Sequence, residues 1–115
     1  IKLALFKTAS IGVDIILDRT AKGVDINGQR FKPYSKKYAF FRTKKGRSPD
    51  NVDLNFTGQM LGDMSVKANS TRAEIFFLRG TDAKKASNNN KTREFFGFSR
   101  LEEKKLAKTF KRFLP

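Results

Sequence analysis

The sequence predicts an α+β fold: a small antiparallel sheet packed against a long N-terminal helix and a C-terminal helix, with an extended basic loop. Three observations carry this. Apolar residues recur at helical spacing from Ile1 to about Ala21. Ser99-Arg100-Leu101-Glu102 has the capping-box pattern and opens a second amphipathic run. Between these runs, Ser65–Ala68 and Arg72–Arg79 alternate around a turn at Asn69-Ser70-Thr71, as the two strands of a hairpin do.

In the first helix, Leu3, Phe6, Ala9, Val13, Ile16 and Leu17 make one apolar face, expected to be the buried one. Ala4, Ile11 and Ile15 make a second beside it. A helix of a small monomer needs one stripe, so these three are the candidate contacts with another copy of the chain. Gly23 is placed to end the helix.

Asp25-Ile26-Asn27-Gly28 is a turn signal, and Pro33 holds Lys32 extended. Ser35 can cap a short helix from Lys36 through Tyr38 and Ala39 to Phe41. From Asn27 to Ser48 there is no acid, whereas Arg30, Lys32, Lys36, Lys37, Arg42, Lys44, Lys45 and Arg47 are all basic. With Gly46, Ser48 and Pro49 at its tip, the segment from about 42 to 51 is expected to be a mobile basic arm. Thr57 is placed to cap a helix starting at Gly58, with Met60, Leu61 and Met64 buried.

In the hairpin, Val66 and Ala68 share a face, as do Ala73, Ile75 and Phe77. Phe76 and Leu78 take the opposite face of the second strand, which is expected to be covered on both sides. The polar stretch Thr81–Lys91, with Asn88-Asn89-Asn90, reads as a loop. The last helix runs from Arg100 to about Phe113, with Leu106, Ala107, Phe110, Phe113 and Leu114 as its stripe. Lys104, Lys105, Lys108, Lys111 and Arg112 load its other face.

At 115 residues, this is expected to be one domain. With 12 Phe and 38% apolar residues it can bury a modest core, which argues against wholesale disorder. No apolar run approaches the length of a membrane span, about 18 residues. Asp14 and Asp18 interrupt the apolar N-terminal stretch and argue against a signal peptide. Without cysteine or histidine the chain has no disulfide, thiol nucleophile, His-based acid or base, or usual zinc site. The 11 acids show no calcium-loop spacing, and no Gly-rich phosphate loop is present. The nearest catalytic candidates are Asp50, Asp53, Asp63 and Asp82, with Asp53 and Asp63 as a facing pair. A lone carboxylate pair is weak ground for chemistry, so neither an enzyme nor a cofactor is expected.

The net charge of +14 attracts a polyanion: nucleic acid, an acidic protein surface or anionic lipid. The candidate contacts are Arg42, Lys44, Lys45 and Arg47 on the arm, with Lys84, Lys85 and Arg93. Tyr34, Tyr38, Phe40 and Phe41 interleave with the basic residues; they are either core anchors for the short helix or a stacking surface for single strands.

The order of motifs adds to this reading. Gly28-Gln29-Arg30-Phe31-Lys32-Pro33-Tyr34-Ser35-Lys36-Lys37-Tyr38-Ala39 follows the leading helix. Leu54-Asn55-Phe56-Thr57-Gly58-Gln59-Met60-Leu61 comes next, then the hairpin, then Arg93-Glu94-Phe95-Phe96-Gly97-Phe98-Ser99 before the last helix. Over nearly the whole chain this resembles the virion morphogenesis proteins of tailed bacteriophages, the tail-completion or neck group. Many members carry a His and a Gly where this chain has the Lys- and Asn-rich stretch Ala83–Lys91. The resemblance implies a non-enzymatic structural subunit, assembled in the host cytoplasm into the head–tail junction of the virion as a homo-oligomeric ring with sixfold symmetry. Its implied partners are the connector or head-closure proteins and the tail-terminator or tail-tube proteins, with double-stranded DNA in the channel as a further contact and no membrane. The alternative from composition alone is a nonspecific basic nucleic-acid-binding module.

Overall fold

A computed structural model describes residues 1–47, 52–54 and 58–115. The element order is helix α1 (Lys2–Ala21), helix α2 (Lys36–Lys44), a single-turn helix α3 (Gln59–Gly62), strands β1 (Met64–Ala68) and β2 (Ala73–Phe77), helix α4 (Gly80–Thr92) and helix α5 (Arg100–Phe113). The long first helix, the antiparallel pair and the final helix are those the sequence predicts.

Helix α1 ends through Gly23 at φ 75°. The Gly23 N–H donates to Thr20 O at 2.9 Å and the Val24 N–H to Arg19 O at 3.1 Å, so the last carbonyls are satisfied by a left-handed glycine. Its buried face differs from the expected one. Ala4, Gly12, Ile16, Arg19 and Thr20 are buried, whereas Leu3 and Phe6 are 64% and 44% exposed. Ile16 is buried as expected, but the rest of the buried line runs between the two expected apolar faces, through Ala4, Gly12, Arg19 and Thr20. Close approach explains the choice: a Cβ on Gly12 would sit 2.8 Å from Phe98 Cζ and 3.3 Å from Ile75 Cδ1. Side-chain size, not hydropathy, decides which face the sheet can reach.

After α1 the chain folds back in a tight turn, with Val24 bridged to Arg30. The Asn27 and Gln29 N–H groups both donate to Asp25 Oδ1 at 2.9 Å, and the Phe31 N–H donates to Gly23 O. This turn delivers Phe31 to the core.

Helix α2 starts where expected, with the Tyr38 N–H donating to Ser35 Oγ at 3.2 Å. It runs on to Lys44, so Arg42, Thr43 and Lys44 are helical, not part of a mobile arm. Gly46, at φ 73°, then closes a glycine cap in which the Gly46 N–H donates to Thr43 O and the Arg47 N–H to Arg42 O. The rest of the expected arm, at positions 48–51, lies outside the described residues, as do Asp50 and the expected cap Thr57. Met60 and Leu61 of α3 are buried as expected, but Met64 opens β1.

The hairpin register pairs Met64 with Phe77, Val66 with Ile75 and Ala68 with Ala73. Met64, Ile75 and Phe77 pack against the buried cluster. The other face is not covered by a second layer. Phe76 lies under the Lys67 ammonium, 5.2 Å from the ring centroid, and Leu78 is exposed beyond the strand end.

The expected loop Thr81–Lys91 is instead the helix α4. Asn is a poor helix former, and tertiary bonds override that weakness here. Asn90 Oδ1 accepts the Phe95 and Phe96 N–H groups, both at 3.0 Å. Ala86 sits in the core. Asp82, buried in the first turn, pairs with Arg79 at 2.8 Å, where a carboxylate suits the helix dipole.

Helix α5 begins with the complete capping box of Ser99 and Glu102. Glu102 also receives Arg19 of α1, whose Nη1 lies 3.2 and 3.1 Å from its two oxygens. Arg19 Nη2 donates to Phe95 O and Gly97 O. One cluster forms the core: Ile16, Phe31, Val52, Met60, Leu61, Ala86 and Phe95. No residue of α5 is fully buried.

Candidate functional site

The candidate surface is built around Tyr34. Its ring is faced by the guanidinium of Arg42 at 4.8 Å and that of Arg93 at 5.0 Å. Arg93 is fixed by donating from Nε to Lys32 O at 2.7 Å and from Nη2 to Pro33 O at 2.9 Å. Arg42, 1% exposed, pairs with Asp53 at 3.2 Å. The Tyr34 hydroxyl accepts the Leu54 N–H at 3.1 Å. Burial raises the pKa of this phenol above its ordinary value of 10.0, although the Leu54 bond and the Arg42 charge pull it down. Tyr34 therefore stays neutral at physiological pH.

Arg42 and Arg93 are both expected to reach outward to a partner. Arg42 is instead buried against Tyr34 and Asp53, a correction. Arg93 is half-buried over Tyr34, with Nε and Nη2 held by backbone carbonyls, and it still lines the cleft beside that ring. No local pattern marks Arg42 as the inward residue of α2, because Ser35 and Tyr38, its neighbours along the helix, are exposed.

With Arg42 as its inward anchor, α2 presents its apolar residues to solvent. Phe40 is 63% exposed, and Tyr38 and Phe41 are also exposed. Lys36, Phe40 and Lys44 form one row at four-residue spacing, and Lys37, Phe41 and Lys45 the next. The Lys44 ammonium lies 4.9 Å from the Phe40 centroid and that of Lys45 lies 5.9 Å from Phe41. The aromatics of this helix are therefore not core anchors, apart from Tyr34 at its entrance. Lys44, Lys45 and Arg47 are exposed as expected, and so are Lys84 and Lys85 on α4. Lys85 reaches a cleft of about 600 Å³ that it shares with Tyr34, Tyr38, Met60, Asn89 and Arg93. This surface can bind anions and flat apolar groups together.

The expected oligomer contacts divide as well. Ala4 is buried within the chain, a correction that follows from the small-residue face of α1, while Ile11 and Ile15 are half-exposed. In place of Ala4, Leu3 and Phe6 are the open apolar residues at that end. A second depression, an apolar groove of about 570 Å³, runs between α1, β2 and α5. Sequence reasoning missed it because it lies between elements, and no single stripe records it.

Of the carboxylates expected to face each other, Asp53 pairs with Arg42, and Asp63 accepts the Arg79 N–H at 2.7 Å. Among the described residues, no three carboxylates gather where they could hold a metal ion. No helix among them is long and apolar enough to cross a membrane. Comparison with known protein families, with curated proteins and with solved structures finds no match to this chain.

Proposed function

We propose that this chain is a structural subunit of a phage neck or tail-completion ring, joining head connector to tail tube during virion assembly. The family assignment rests on the ordered motifs. The structural observation that supports a subunit in an assembly is the apolar surface left open. Leu3 and Phe6 on α1 and Leu101 on α5 are exposed, and α5 buries no side chain completely. The radius of gyration is 15.6 Å, against about 13 Å for a compact domain of this length. An elongated chain with open apolar residues suits a subunit that buries side surface against copies of itself.

The test is sizing and electron imaging of the purified chain, alone and mixed with connector and tail-tube proteins of a phage carrying this motif order. Closed rings, or attachment to either partner, support the reading. A monomer that binds neither overturns it.

The exposed Phe40 and Phe41, each under a lysine ammonium, favour a second reading: a nonspecific nucleic-acid surface centred on α2. Its signature is binding to generic single strands that weakens steeply with salt, and the absence of binding at low salt eliminates it.

A further inference from the structure

We propose that the cleft beside Tyr34 is a binding site for a small organic oxyanion, a carboxylate or phosphate carried on an apolar or aromatic body. The cleft lies within one chain, so the site holds or fails independently of the ring reading.

The charge lining the cleft is of one sign. Lys85 of α4 and Arg93 at the end of that helix both line it, and among the described residues no Asp or Glu does. Neither cation has a carboxylate partner among the described residues, whereas Arg19, Arg42 and Arg79 each have one. Two like charges facing one concavity raise its potential, and an anion seated there lowers it.

Arg93 is held ready for such a ligand. Its guanidinium lies 5.0 Å from the centre of the Tyr34 ring, and its Nε and Nη2 donate to Lys32 O and Pro33 O. Its Nη1 makes no hydrogen bond among the described residues. A donor already fixed loses little rotamer freedom when a ligand arrives. Lys85, exposed on α4, adds a mobile point charge.

The size and the remaining lining call for more than a bare ion. The cleft holds about 600 Å³, within the range of small-molecule sites, roughly 300–1,000 Å³, and far more than one phosphate fills. Met60 and Leu61 line it as buried apolar side chains, with the Tyr38 ring beside them. A flat apolar body gains contact with the Met60 thioether and with that ring. A nucleic-acid strand, by contrast, draws on charge spread along the whole surface.

The test follows the isotope-labelled full chain by NMR while one ligand is titrated at fixed ionic strength. Phenyl phosphate and phenylacetate carry oxyanion and body together. Inorganic phosphate lacks the body, benzyl alcohol lacks the charge, and benzylamine reverses it. At least one aryl oxyanion should bind at least about ten-fold more tightly than all three controls, shifting the Asn89 side-chain amide and the Met60 backbone amide at the cleft. Lys85→Gln should weaken that binding about ten-fold. Lys84→Gln, the same charge change one residue away and outside the cleft, should alter it less than about two-fold. Both positions are exposed, so neither variant should move the melting temperature. Equal losses from the two lysine variants mean that bulk charge alone attracts the ligand and overturn the proposal. Inorganic phosphate binding as tightly as both aryl oxyanions overturns it as well, and so do shifts confined to α2 or α5.

Discussion

The Arg42 guanidinium lies 3.2 Å from the Asp53 carboxylate and 4.8 Å from the centre of the Tyr34 ring, which makes it the inward anchor of an otherwise outward-facing helix. A residue in the most basic part of the chain thus stabilises the fold, while Lys44, Lys45 and Arg47 beside it are exposed. The consequence is a division within one cluster of like residues. Arg42→Met should destabilise the chain by about 3 kcal/mol, because it leaves Asp53 without its cation. Lys44→Ala, Lys45→Ala and Arg47→Ala together should stay within about 0.5 kcal/mol of the parent, as exposed substitutions do. Urea denaturation separates the two cases, and equal costs would return Arg42 to the surface.

Arg19 and Glu102 should be energetically coupled. Glu102 both accepts the Arg19 guanidinium and closes the cap on Ser99, so Glu102→Ala should cost about 3 kcal/mol. In a double-mutant cycle with Arg19→Met, the coupling should exceed about 1 kcal/mol. Additive losses would mean that the two act separately.

The asparagines of α4 should not be equivalent. Asn90→Ala removes the acceptor for two backbone N–H groups and should cost about 2 kcal/mol. Asn88→Ala, at an exposed position, should change stability by less than about 0.5 kcal/mol. Thermal unfolding of the two single variants decides this.

Alkaline pH should loosen the Tyr34 site. The folded-state pKa of this phenol is raised above 10.0, so the neutral form is the one the fold prefers. Its contribution is fully present below the unfolded-state pKa and is lost as pH rises through the higher folded value. In a Tyr38→Phe background, the remaining phenol should titrate above the free amino acid by absorbance. Tyr34→Phe should abolish that step, and titration at or below the ordinary value would contradict the assignment.

Gly97 has a φ of 150°, and a Cβ there would meet Ile26 Cδ1 at 2.9 Å. Gly97→Ala should therefore destabilise by about 1–3 kcal/mol, read by chemical denaturation. A neutral effect would show that Ile26 yields freely.

Much of the fold was legible because local signals were strong. Ser99 and Glu102 stand at capping-box spacing, Ser35 caps α2, and Gly23 ends α1. What failed was decided by tertiary partners that no local pattern records. α4 is helical although it contains Asn88-Asn89-Asn90, because Asn90 holds the backbone of Phe95 and Phe96 and Asp82 meets Arg79. The buried face of α1 was misplaced because hydropathy weights Leu3 and Phe6, whereas the sheet needs the small surface of Ala4 and Gly12. In the candidate site, the exposure of Lys44, Lys45 and Arg47 followed from charge, but the roles of Arg42 and Arg93 depended on Tyr34, whose position only the folded chain defines.

The bond between Arg19 and Glu102 joins positions 83 residues apart, and it imposes an order in time. At cellular synthesis rates, Glu102 is added about 4 to 17 seconds after Arg19. Through that interval the first helix holds a guanidinium meant for burial with no carboxylate to receive it. A chain cut before α5 leaves Arg19 of the first helix without this latch.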